Sequence, residues 1–64
     1  MSEIVYSQAL EAVAMGATYE ETRRELIEAF PSIDPLLIYV EMTNAVLDAK
    51  QQGVELEDID PSWH

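Results

Sequence analysis

Apolar positions recur at helical spacing three times along the chain, and each run is bounded by residues that start or stop a helix. In the first run Val5, Ala9, Ala12 and Val13 align with Tyr6 and Leu10, while Glu3, Ser7, Gln8 and Glu11 fall on the opposite face. Ser2 is placed to cap this helix. Gly16 is placed to end it, because glycine reaches the left-handed conformation after a helix without a Cβ penalty. The second run opens on "TYEE", where Thr18 and Glu21 have capping-box spacing. Its apolar stripe is Tyr19, Thr22, Leu26, Ala29 and Phe30, and Pro31 terminates it. Asp34 followed by Pro35 supplies an N-cap and a proline at the first helical position, predicting a third helix from about Pro35 to Gln52 that Gly53 closes. Sustained alternation and hairpin dipeptides are both absent. The pattern predicts an all-α, compact three-helix domain over residues 1–53, followed by an extended acidic tail over 54–64.

The third helix departs from the usual one-sided pattern. Leu36, Leu37, Ile38, Tyr39, Val40, Met42, Ala45, Val46, Leu47 and Ala49 cover most of its circumference. Glu41, Asn44, Asp48 and Gln51 form a narrow polar stripe with Leu37 at its head. A helix apolar nearly all round is buried on most sides, and two neighbours of some twelve residues barely suffice to cover it. Either it is the central helix with the tail folded back as a further wall, or it keeps an apolar strip for a partner or a second copy.

Sixty-four residues make one domain near the lower size for independent folding. Thirteen acidic residues against three basic ones leave a formal charge of −10, beyond the magnitude of about 2–8 that solubility asks of a small domain. Phosphate backbones and anionic membranes are repelled by such a field, and a basic protein surface is attracted. The longest apolar run, "PLLIYV", falls far short of the roughly 20 residues that span a bilayer. "MSEIVYSQAL" has neither the basic start nor the apolar core of a secretory signal, so a cytoplasmic location is expected.

Few residues offer chemistry. There is no cysteine, and the one histidine, His64, is the last residue, where a fraying end group holds no catalytic geometry. "ELEDIDPSW" lacks the ligand spacing of a calcium loop, and two glycines cannot build a phosphate cradle. No catalysis, metal or cofactor is expected. Ala12 and Gly16 have the spacing of a helix-turn-helix, but the recognition helix would carry Glu20, Glu21, Glu25 and Glu28 against Arg23 and Arg24. Such a helix is a poor guest in a major groove. Pairing of these arginines with glutamates one turn away, Glu20 with Arg23 or Arg24, or Arg24 with Glu28, is the simpler reading.

Met15–Gly16 after a short helix, Leu26 ten residues on, and a third helix after a short loop resemble the ubiquitin-associated (UBA) three-helix domain over roughly residues 4–47. The resemblance implies a compact three-helix fold and, through the loop and the last helix, protein binding. Ala17 stands where that family has an aromatic residue, so the resemblance does not extend to ubiquitin.

The tail, "VELEDIDPSWH", sets Leu56, Ile59 and Trp63 among Glu55, Glu57, Asp58 and Asp60, at spacings of three and four that suit one side of a short helical turn or an extended docking segment. Trp63 is an anchor with two candidate berths: the chain's own third helix, or a groove on another protein to which the carboxylates steer it. The residues expected to bind a partner are Leu37, Glu41, Asp48, Glu55, Glu57, Asp58, Ile59, Asp60 and Trp63. The expectation for function is a non-enzymatic interaction module whose partner is a protein with a basic surface. Such a module occupies that surface as small inhibitory or DNA-mimicking proteins of phages and plasmids do. The alternative is a subunit that oligomerises through the third helix.

Overall fold

The chain marks its helix boundaries with specific hydrogen bonds. In the computed structural model, which describes residues 3–63, α1 spans Glu3–Ala14, α2 Tyr19–Ala29 and α3 Pro35–Gln51. The expected Ser2 cap and His64 lie outside the described residues. The fold is all-α with three helices, and no strand occurs among the described residues.

Gly16 and Gly53 adopt φ of +81° and +97°, and each closes its helix in the same way. Ala17 N–H donates to Ala12 O and Gly16 N–H to Val13 O; Val54 N–H donates to Ala49 O and Gly53 N–H to Lys50 O. Those paired bonds form the Schellman arrangement, in which a left-handed residue turns the chain back onto the orphan carbonyls. Thr18 Oγ1 accepts from Glu21 N–H at 3.1 Å, as the capping box requires, but the return bond differs. The Thr18 hydroxyl donates to the Glu21 carboxylate at 2.9 Å. Asp34 caps α3, its Oδ1 accepting from Leu36 N–H at 2.8 Å.

Packing centres on α1 against α3, the most extensive interface in the fold. Val5, Ala9 and Val13 of α1 and Ile38, Met42, Ala45 and Ala49 of α3 are buried. The alanines bring the two backbones close, and α2 adds Leu26 and the buried Thr22, whose hydroxyl donates to Thr18 O. From the tail, Ile59 and Trp63 join the same core.

Of the two shapes open to the tail, a short helical turn and an extended segment, it takes the helical one rather than the extended form expected after Gly53. It forms two short 3-10 turns, Leu56–Asp58 and Pro61–Trp63. Ile59 and Trp63 would stand about 13 Å apart on an extended strand, and the intervening turn draws both into one core. Asp60 initiates that turn by accepting Ser62 N–H at 2.9 Å, while Pro61 fixes the backbone between them.

Candidate functional site

Trp63 is seated on the chain itself. Its side chain is 8% exposed, its Nε1–H donates to Ala17 O at 2.9 Å, and Tyr19 meets it edge to face with centroids 5.4 Å apart and ring planes at 82°. Beside it, Ser62 Oγ accepts the Tyr19 backbone N–H at 2.8 Å, satisfying one of the orphan donors at the start of α2. Burial raises the pKa of Tyr19, and the two hydrogen bonds from Ser62 lower that of Asp60. Trp63 is thus docked on its own chain, but its hydrogen bond and ring contact go to the α1–α2 turn and the head of α2 rather than to the third helix that was expected to receive it.

This seating sorts the tail by side. Ile59 and Trp63 face inward, whereas Glu55, Glu57 and Asp58 are exposed and Asp60 is half-buried. Ile59 and Trp63 anchor the C-terminal part of the segment, while Leu56 is 61% exposed among the carboxylates.

The polar stripe of α3 is rotated toward α1. Glu41 is 2% exposed, and Asn44 donates to its Oε1 at 3.4 Å. Asp48 is half-buried and accepts the Tyr6 hydroxyl, a bond that raises the tyrosine's pKa ahead of the effect of burial. With Glu3 and Leu47, these residues line a surface groove of about 400 Å³ between α1 and α3. None of the tail acids lines it. The nine residues singled out in the sequence therefore divide among four places. Glu41 and Asp48 line this groove. The half-buried Leu37 helps frame a depression with Asp34, Leu36 and Val40. Of the tail residues, Glu55, Glu57, Asp58 and Asp60 lie elsewhere on the surface, and Ile59 and Trp63 lie in the core.

The exposed apolar face of α3 carries other residues. Leu36 is 69%, Leu47 50% and Val40 41% exposed, with Tyr39 exposed beside them. At 3.6 residues per turn this row lies half a turn from Ile38, Met42, Ala45 and Ala49. Placing the four core positions on a helical wheel first identifies the row, whereas following the polar stripe leads to Leu37. On its far flank, Tyr39 and Thr43 edge a second groove with Tyr19 and Trp63. Tyr6, Tyr19 and Ala17 carried no sequence signal for these roles, because each depends on which segment lands against it.

Arg23 and Glu20 form the ion pair anticipated on α2, at 2.8 Å, which lowers the pKa of Glu20. Among the described residues, no three Asp, Glu or His side chains are grouped to hold a metal ion, and no helix is long and apolar enough to cross a membrane. Compared with protein-family models, curated proteins and solved structures, the chain has no match, so no family assignment follows from the UBA-like pattern.

Proposed function

We propose that this chain is a non-enzymatic protein-interaction module that binds and inhibits or otherwise modulates a partner, engaging a basic surface of the kind that meets nucleic acid. The observation that carries this reading is the outward exposure of Glu55, Glu57 and Asp58 beside the buried anchors Ile59 and Trp63. Even with every Lys and Arg of the chain paired internally, the charge of −10 remains for a cationic partner. An array tethered by two buried residues loses less entropy on binding than a free acidic tail, so more of its electrostatic attraction appears as affinity. Direct nucleic-acid binding lacks its driving term in such a field.

The test is capture of basic nucleic-acid-binding domains by the intact chain, with duplex DNA as competitor. Retention should fall with rising salt, with added DNA, and in the triple charge reversal Glu55→Lys, Glu57→Lys, Asp58→Lys. Retention indifferent to both salt and the reversal sinks the reading.

The exposed row on α3 favours a second reading, a structural subunit that self-assembles through that helix. Leu47→Glu should then dissolve a defined oligomer measured by light scattering. A mass of 7.2 kDa at all concentrations removes this reading.

A further inference from the structure

The outer face of α3 combines three features within one footprint. Leu36, Val40 and Leu47 form an apolar row spanning eleven residues, about 16 Å of helix. Leu47 is also the edge of the groove that carries Glu3, Glu41 and Asp48, a groove with no Lys or Arg in its lining. At the other end of the row, Asp34 frames the depression beside Leu36 and Val40. Apolar contact and negative charge are thus adjacent at both ends of the row.

We propose that this face docks a short basic amphipathic helix of a partner protein, about three turns long. Its apolar edge seats along Leu36, Val40 and Leu47, and its Lys or Arg side chains reach into the Glu3–Asp48 groove. A long basic side chain suits that step: its methylene stem lies over Leu47 while its cationic head enters the groove. Asp48 accepts the Tyr6 hydroxyl and, as a carboxylate, keeps lone pairs for a further donor. The arrangement is the helix-in-groove mode, with apolar anchors at helical spacing supplying affinity and the flanking charge setting orientation.

Charge complementarity selects this occupant over the others. A second copy brings another −10, and of the chain's three basic residues Arg23 is engaged by Glu20. An anionic bilayer is repelled by the same field that attracts a basic helix. This inference rests on the reading of the chain as an interaction module, and adds a seat on α3, apart from the tail acids, for a helical segment of the basic partner.

The experiment uses the full chain labelled with ¹⁵N and three synthetic peptides. One is an amphipathic helix with leucines at i, i+4, i+7 and i+11 and lysines on its flanks. The second has the same composition scrambled, and the third has glutamates for lysines. The first should give saturable amide shifts over residues 36–48 together with Glu3 and Tyr6. Its affinity should fall at least tenfold in Leu47→Glu and in Leu36→Glu, both exposed positions whose folding is checked by circular dichroism. Asp48→Asn, which still accepts from Tyr6, should flatten the salt dependence. Equal binding of the scrambled basic peptide, or shifts centred on Glu55, Glu57 and Asp58, overturns the α3 site while leaving the acidic-module reading standing. Failure of both basic peptides overturns the two together. A dimer mass in the absence of peptide that collapses in Leu47→Glu gives the face to a second copy and also overturns the proposal.

Discussion

The indole N–H of Trp63 and the carbonyl of Ala17, 46 residues apart in sequence, meet at 2.9 Å. This bond joins the tail to the turn between α1 and α2, and it separates two contributions of one side chain. Trp63→Ala removes buried ring volume and should cost about 3–5 kcal/mol, comparable with the whole net stability of a domain this small. Trp63→Phe keeps most of the packing and leaves the Ala17 carbonyl unpaired, at about 1–2 kcal/mol. Urea melts followed by circular dichroism should rank wild type above Phe above Ala. An Ala variant that melts with the wild type would show that the tail is not part of the core.

Gly16→Ala and Gly53→Ala should each destabilise the fold by about 1–2 kcal/mol, because an L side chain is strained at positive φ. The cost is backbone strain alone. A Cβ at Gly16 would meet Asp58 O at an ordinary 3.8 Å, and one at Gly53 would meet nothing within 4 Å. Near-equal losses in thermal melts support this; a much larger loss at Gly16 would mean that the tail cannot move aside for even that contact.

Asp60 links the tail to pH. Its folded pKa is lowered by Ser62, so its contribution is complete above the ordinary carboxylate value and is lost as pH falls through the lowered one. Below about pH 4, fluorescence of the single tryptophan should report loosening of the Trp63 seat. In Asp60→Asn that acid-dependent step should be absent; its persistence there would assign the step to another carboxylate.

Tyr6 carries the opposite dependence. Its pKa is raised by donation to Asp48, so its contribution is intact below about pH 10 and fades as pH rises through the raised value. The stability difference between wild type and Tyr6→Phe, measured by urea melts, should therefore shrink above pH 10. A constant difference would indicate that the hydroxyl contributes through packing only.

Much of the fold is written locally. The Thr18 and Asp34 caps, the proline at the head of α3 and the two positive-φ glycines are decided by neighbours within four residues, and all five are legible without a structure. The orientation of α3 is not. Its apolar residues nearly encircle it, so hydrophobicity alone does not choose the buried side. That choice falls to Ala45 and Ala49, whose small size lets α1 approach most closely, and to Tyr6, whose hydroxyl gives Asp48 a partner against α1. As a result Glu41 is buried and Leu36 and Leu47 are exposed, the reverse of what charge alone suggests. The tail was legible as an anchor, but its berth was not, because Ala17 offers only a backbone carbonyl and every residue has one.

The contacts that hold the tail have a bearing on time as well as stability. Helical bundles fold quickly because most of their contacts are local, but Trp63 to Ala17 and Ser62 to Tyr19 close loops of more than forty residues. Loop closure on that scale is rewarded only once the surface it lands on exists. Tyr6 to Asp48, between α1 and α3, closes a loop of similar length, but the seat of Trp63 also needs the α1–α2 turn in place, so the tail is expected to latch last. A latch formed after the rate-limiting step leaves the folding rate nearly untouched and governs the unfolding rate. On that order, Trp63→Ala should speed unfolding in stopped-flow measurements while leaving the folding rate nearly unchanged. The segment that presents the carboxylates would then also be the one that sets how long each folded molecule lasts.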